Sequence, residues 1–128
     1  MKLGRPIFVT GPARSGTSLV AGALRACGAW TGTTIGATPE NPHGFVEHEE
    51  IREQVVKKAL RLLGADPLGV DRFPDATPPK GYVDGSAWVR GHIESILERD
   101  GYPGGVWLYK DAKLAYLWRL FEAGFASL

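Results

Sequence analysis

Apolar residues occur along the chain in two short unbroken runs and in four longer stretches at helical spacing. The runs cover residues 6–10 and 106–109, and a nearly all-apolar run is typical of a strand buried on both faces in a parallel sheet. The spaced stretches predict helices over about residues 17–27, 46–63 and 86–100, with a last helix around 114–121. The pattern predicts an α/β domain with a mainly parallel sheet and helices on both sides.

Each predicted helix carries one apolar stripe. The stripe of the first helix consists of Leu19, Val20, Ala23, Leu24 and Cys27. The stripe of the second helix consists of Ile51, Val55, Ala59, Leu62 and Leu63. The aromatic residues Trp88, Trp107, Trp118 and Phe121 are expected to pack the core.

Two strands are too few for a sheet that four helices cover on both faces. The chain is therefore expected to be the truncated front half of a larger α/β domain, to hide further strands in its loops, or to have its sheet completed by a second chain in a homodimer. Residues 1–128 are expected to form a single domain. Within it, residues 64–85 are rich in proline, glycine and aspartate and predict a long loop or lid.

Composition narrows the class of protein. The net charge of +1 over 128 residues gives no strong field, so neither nucleic acid nor a membrane surface is an expected partner. The apolar run near the N-terminus is too short for a signal peptide or a membrane span. One cysteine, Cys27, and three histidines form no metal-ligand spacing, so no metal is expected. A reducing cytoplasmic location fits this cysteine usage best.

The loop between the first strand and the first helix has the glycine spacing of a phosphate-binding loop. It reads Gly11-Pro12-Ala13-Arg14-Ser15-Gly16-Thr17-Ser18. Consecutive N–H groups at a helix start bind anions, and the Arg14 guanidinium can make forked bonds to phosphate or sulfate oxygens. Thr17 occupies the position of the Walker A lysine, which disfavours a magnesium-dependent triphosphatase or kinase. The plain alternative is a tight turn without a ligand.

These residues resemble the 5′-phosphosulfate-binding loop of sulfotransferases that use PAPS (3′-phosphoadenosine 5′-phosphosulfate). Two further segments are similar to bacterial and phage-type members. One runs from Asn41 to Glu47, before the second helix, and the other from Tyr109 to Leu114, where Ala112 and Lys113 replace the expected proline and arginine. The resemblance covers about residues 6–121 and implies a three-layer fold like that of P-loop NTPases. The family's 3′-phosphate element has no match in the C-terminal third, so the resemblance is to the N-terminal half of a sulfotransferase.

The resemblance implies transfer of a sulfuryl group from PAPS to a hydroxyl or amine of a small-molecule or carbohydrate acceptor, without a metal. In that interpretation Arg14 stabilises the transferring group, Glu47 is the general base and Lys110 supports the anionic donor. The implied PAPS-binding residues are Pro12, Ala13, Arg14, Ser15, Gly16, Thr17 and Ser18.

Other interpretations of the same residues stay open. Glu47 is equally well explained as a helix-start carboxylate, with His48 and Glu50 as weaker candidates for the base. Lys110 and Asp111 are equally well explained as an ordinary strand-end ion pair. For the whole chain, the alternatives are a nucleotide-dependent kinase of P-loop type and a non-catalytic, truncated protein that binds a nucleotide or an anion.

Overall fold

The described residues form two strands and five α-helical segments. The structure is a computed structural model that describes residues 2–12, 15–36, 39, 44–68 and 82–128, with side chains of the last stretch from Gly85 onward. In chain order the elements are β1 (Pro6–Val9), α1 (Thr17–Ala26), α2 (Glu49–Ile51), a π-helical turn (Arg52–Val56), α3 (Lys57–Leu62), α4 (Tyr82–Arg99), β2 (Trp107–Lys110), a 3-10 helix (Ala112–Tyr116) and α5 (Trp118–Phe125).

The two strands are parallel neighbours, which confirms the predicted α/β class and the parallel pairing of the strands. Their register pairs Pro6 with Trp107 and Val9 with Lys110. On the far side of β2, the N–H of Trp30 donates to the carbonyl of Val106 at 3.0 Å, which extends the sheet by one bridge. Within the described ranges β1 pairs with β2 alone.

The prediction that both strands are buried on both faces holds for β2 but is wrong for β1. All four residues of β2 are buried, whereas all four residues of β1 are only half-buried. The difference follows from position, because β1 forms an edge of the described sheet and its outer side lacks the neighbour that shields β2.

The sheet separates two apolar clusters. On one face, Phe8 packs edge-on against Trp107 and against Phe121 of α5, with ring centroids 5.7 and 5.4 Å apart. This larger cluster also takes in buried residues of α2 to α5, and each fully buried side chain contributes about 1.5–3 kcal/mol. On the other face, a small cluster joins Leu108 to Ala21 of α1 and to Val46.

The apolar stripe predicted for α1 is not the face that packs. Leu19 is 78% exposed and Val20, Ala23 and Cys27 are exposed as well, while Ala21 is fully buried. The sheet face beneath α1 offers a small apolar surface, and the helix meets it through a methyl group and the half-buried Leu24. The spacing of apolar residues could not predict this orientation of α1, because it does not show how much apolar surface lies opposite each face of the helix.

The second predicted helix contains a π-helical turn, and this turn moves its apolar stripe by one residue. Ile51, Val55 and Ala59 are buried as predicted, but Leu62 is 75% exposed and Val56 and Leu60 are fully buried instead. A π turn takes up one residue more than an α turn, so every position after it is rotated relative to the positions before it.

Two helix starts, one N-cap and one core assignment also differ from prediction. The second helix begins at Glu49 rather than at residue 46, and α4 begins at Tyr82, inside the predicted loop 64–85. Ser86, the expected N-cap, is therefore a buried residue within α4. Trp118 is 51% exposed rather than packed in the core. The remainder of that predicted loop, residues 69–81, lies outside the described residues. None of the helices in the described ranges combines the length and the apolar composition that crossing a membrane requires.

Candidate functional site

The predicted phosphate loop enters α1 through Gly16. Gly16 has φ 93 and is the N-cap of α1, without a side-chain cap hydrogen bond and without an acidic residue in the first turn. The first hydrogen bond of the helix runs from the N–H of Val20 to the carbonyl of Gly16. The N–H groups before Val20 therefore have no acceptor within the helix, and they are suited to an anion.

Only some of the other predicted loop residues are among those that the structure describes. Ala13 and Arg14 lie outside the described residues. Pro12 and Ser15 are exposed, and the Ser15 hydroxyl donates to the Pro12 carbonyl at 2.6 Å. This bond lies just ahead of the helix start, at the place where the sequence predicts the anion.

Three segments that the sequence nominates separately meet at the carbonyl oxygen of Phe45. The hydroxyl of Ser18, on α1, donates to that oxygen at 3.2 Å. The Nζ of Lys110, at the end of β2, donates to it at 3.3 Å. The helix start, the segment before α2 and the strand end are thereby held together. Asn41, Pro42 and His43, at the beginning of the middle segment, lie outside the described residues.

Glu47 and Lys110 form a buried ion pair. The Nζ of Lys110 lies 3.1 Å from Oε1 of Glu47, and the two residues are 5% and 6% exposed, respectively. Burial raises the pKa of Glu47, the negative charge of Asp111 raises it further, and the positive charges of Lys110 and Lys113 oppose both effects. Glu47 precedes the first helical residue by two positions and is committed to this pair, so it is not the helix-start carboxylate of the alternative interpretation.

Asp111 pairs with Lys113 rather than with Lys110, so the simple strand-end pair expected as an alternative is wrong. Its Oδ1 lies 2.9 Å from the Nζ of Lys113 and accepts the backbone N–H of the same residue, which caps the 3-10 helix. Its Oδ2 accepts the hydroxyl of Tyr109 at 2.7 Å. Burial, followed by the charge of Asp111, raises the pKa of Tyr109, which keeps this phenol neutral and donating.

The backbone that carries Glu47 is strained. Val46 has φ 52, in the left-handed region that a β-branched residue rarely adopts, and Gly44 has φ 78. Such a residue costs about 1–3 kcal/mol and persists where its surroundings fix it. Here the Ile35 N–H donates to the Glu47 carbonyl at 2.9 Å, and the Val46 side chain is buried in the small cluster. Strain of this kind concentrates at functional sites, and here it lies immediately before Glu47.

His48, a weaker candidate for the general base, is held at both ring nitrogens. Its Nδ1 accepts the N–H of Ile51 at 3.4 Å and so caps α2, and its Nε2 donates to Oδ2 of Asp100 at 2.9 Å. Asp100 also accepts the backbone N–H and the hydroxyl of Thr33, both at 2.7 Å. Glu50 pairs with Arg99 at 2.7 Å. Neither candidate belongs to the cluster around Glu47.

Asp100→Ala should lower the free energy of unfolding by about 2 kcal/mol at neutral pH, because it removes the acceptor of three hydrogen bonds. Burial alone raises the pKa of Asp100, but the bonds from Thr33 and His48 together outweigh burial and hold that pKa below its usual range. The stabilisation is therefore complete above about pH 3.9 and is lost as pH falls through the lower folded value. Urea unfolding at pH 7 and pH 3 tests this, with Glu98→Ala, at an exposed position near the end of α4, as control. An equal loss of unfolding free energy at both pH values would contradict this prediction.

Sequence reasoning missed Arg52. It opens the π-helical turn, and its Nε lies 3.8 Å from Oε2 of Glu47 and 3.8 Å from Oε1 of Glu53. That nitrogen is buried and has no hydrogen-bond partner among the described residues. Nothing in the sequence distinguishes Arg52 from other charged residues at helical spacing, and only its distance to Glu47 gives it significance.

The assembled site offers N–H donors, hydroxyl groups, cations and the buried carboxylates of Glu47 and Asp111, and Asp111 is already bound by Lys113 and Tyr109. Its donors and cations are suited to an anionic ligand. In the part of the chain that the structure describes, no group of three or more His, Cys, Asp or Glu side chains is placed to hold a metal ion. In comparisons with known proteins, no protein-family model, no curated protein and no solved structure matches this chain.

Proposed function

We propose that the chain is a sulfotransferase-like domain with a P-loop-like fold, which binds the phosphosulfate group of PAPS and transfers its sulfuryl group to a hydroxyl or amine acceptor. The observation that carries the proposal is the meeting of the helix start, Lys110 and the Glu47 segment at the Phe45 carbonyl. An anion site, a buried cation and a buried carboxylate with a raised pKa are the parts that this chemistry requires.

The binding half of the proposal uses the first turn of α1. Its N–H groups and the hydroxyls of Ser15 and Thr17 would surround the 5′-phosphosulfate, with Gly16 leaving open space beside the backbone. Arg14 would add the forked cation that neutralises the transferring group. Thr17, which replaces the Walker A lysine, favours this reaction over phosphoryl transfer from a triphosphate.

The catalytic half uses Lys110 and Glu47 together. Bound PAPS supplies a sulfuryl group on a phosphate oxygen that leaves with the bond electrons. Lys110 would turn from Glu47 toward that oxygen and stabilise its charge. Glu47, freed on one oxygen, would take the proton of the acceptor hydroxyl, and its raised pKa brings it closer to the neutral range in which a general base works best.

Calorimetric titration with adenosine 3′,5′-bisphosphate, with ATP and Mg²⁺ as comparison, tests the binding half. We expect the bisphosphate to bind more tightly than ATP, and we expect Arg14→Ala to weaken it at least tenfold, because a charge-assisted forked bond of about 1.5–3 kcal/mol is lost. Arg25→Ala is the matched control, because Arg25 is exposed in the last turn of the same helix.

Two results would overturn the proposal. Binding of ATP with Mg²⁺ without binding of the bisphosphate would favour the kinase alternative. Full affinity in Arg14→Ala would mean that the loop is not the anion site.

A further inference from the structure

Arg52 rests between two carboxylates and completes a hydrogen bond to neither. Its Nε lies 3.8 Å from an oxygen of Glu47 and 3.8 Å from an oxygen of Glu53, beyond hydrogen-bond distance of both. The same nitrogen is buried and unpaired among the described residues, a state that costs free energy. A guanidinium in this position gains by moving about 1 Å toward one of the two oxygens.

The two carboxylates differ in what they offer Arg52. Oε1 of Glu53 already accepts a hydrogen bond from Lys57 at 2.7 Å, and water reaches this half-exposed residue. Hydrogen bonding from Lys57 lowers the pKa of Glu53 more than any other influence. Glu47, in contrast, is buried, and Lys110 holds only its Oε1, while its Oε2 faces Arg52. Glu47 is the carboxylate that lacks charge compensation if Lys110 moves.

We infer that Arg52 is the second cation of Glu47, and that it closes onto Oε2 when Lys110 is drawn from Oε1 toward an anionic ligand. Arg52 is in this sense a positioning residue, which keeps the carboxylate ionised and fixed while Lys110 serves the ligand. The trigger rests on the proposed function, because an anion at the start of α1 is what would attract Lys110. The closing motion itself depends only on the described contacts.

The other charged groups that face Glu47 cannot take over this task. Asp111 carries the wrong sign and disfavours the ionised carboxylate. Lys113, from the 3-10 helix, is bound to Asp111 at 2.9 Å. Tyr109, beside them, is neutral and donates to Asp111. Arg52 combines a positive charge, a nearby donor and the absence of a hydrogen-bond partner for that donor among the described residues.

The first test needs no ligand and uses Lys110→Gln to imitate the departure of the lysine. Carboxyl carbon NMR follows the titration of Glu47 in Lys110→Gln and in Lys110→Gln with Arg52→Gln. We expect the midpoint of the double variant to lie about one pH unit higher, because the ionised form has then lost its remaining cation. Lys110→Gln with Arg52→Lys should recover part of the difference, and Lys110→Gln with Arg61→Gln, an exposed position on α3, should titrate like Lys110→Gln. Equal midpoints with and without Arg52 would overturn the inference.

The second test keeps Lys110 and therefore does not require the Lys110→Gln variants to fold. Calorimetry in Pipes and in Bis-Tris, buffers of different ionisation enthalpy, measures proton uptake when adenosine 3′,5′-bisphosphate binds near pH 6.5. We expect little uptake in the wild type and a clear fraction of a proton in Arg52→Gln, which Glu47→Gln should abolish. Equal uptake in wild type and Arg52→Gln would overturn the inference. If the wild type binds no bisphosphate, the proposed function fails, and the first test alone decides the role of Arg52.

Discussion

Lys110→Met should lower the free energy of unfolding at pH 7 by about 3 kcal/mol, within the range measured when one partner of a buried ion pair is removed. Methionine fills a similar volume, so the loss reports the charge rather than a cavity. The Glu47 carboxylate would stay buried without the ammonium group that lies 3.1 Å from it. Urea unfolding measures the loss, and Lys58→Met, at an exposed position on α3, should stay within about 0.5 kcal/mol of the wild type.

The loss in Lys110→Met should depend on pH in a defined direction. Burial already holds the pKa of Glu47 above its unfolded value, and removal of Lys110 raises it further. The folded variant therefore binds a proton that the unfolded chain releases, and its stability relative to the wild type should recover as pH falls from 7 toward about 4.3. Adding Glu47→Gln should restore most of the stability at pH 7. A loss that is unchanged at pH 5, or no restoration by the second substitution, would contradict the buried pair as its cause.

Gly32→Ala should cost about 3 kcal/mol, the second large effect that we expect. Gly32 has φ 61, and a left-handed conformation costs a residue with a Cβ about 1–2 kcal/mol. The added carbon would also lie 2.7 Å from the Trp30 ring and 2.8 Å from Cδ2 of His48, and it would touch Oδ2 of Asp100. Overpacking of this kind adds about 1–3 kcal/mol.

Two other glycines separate the contributions to this effect. Gly28 has φ 106 but open space around its missing side chain, so Gly28→Ala should cost about 1 kcal/mol for conformation alone. Gly36 is exposed with neither feature, so Gly36→Ala should change stability by no more than about 0.5 kcal/mol. Thermal or urea unfolding of the three variants gives the comparison. If Gly32→Ala cost no more than Gly28→Ala, the packing around His48 would be looser than described.

The sequence predicts the elements of this fold better than it predicts their packing. Both strands and all of the predicted helices are present, because an unbroken apolar run and a 3.6-residue spacing are local signals. The exposure of Leu19 and Leu62 was not predictable in the same way. The exposure of Leu19 depends on how much apolar surface the sheet offers to α1. The exposure of Leu62 depends on the π turn, which adds one residue to a turn of the helix.

The residues of the candidate site could likewise be predicted better than their burial and contacts. The family resemblance points to Glu47 and Lys110, and the structure brings them into contact although they are 63 residues apart in sequence. Their burial could not be inferred, because it depends on the strained Val46 backbone and on the packing of three segments. The role of Arg52, whose Nε has no hydrogen-bond partner among the described residues, has no sequence signature, since it follows from distances to other side chains.

The pairing of β1 with β2 has a consequence for the order in which the chain folds during synthesis. Pro6 pairs with Trp107, so β1 leaves the ribosome roughly a hundred residues before its partner exists. During that time α1, α2 and α3 can form locally, but β2, the strand with which β1 pairs among the described residues, has not yet been made. A nascent chain with such a segment is a substrate for chaperones and is prone to aggregation. We therefore expect β1 to join β2, and Glu47 to pair with Lys110, only after Lys110 has emerged from the ribosome.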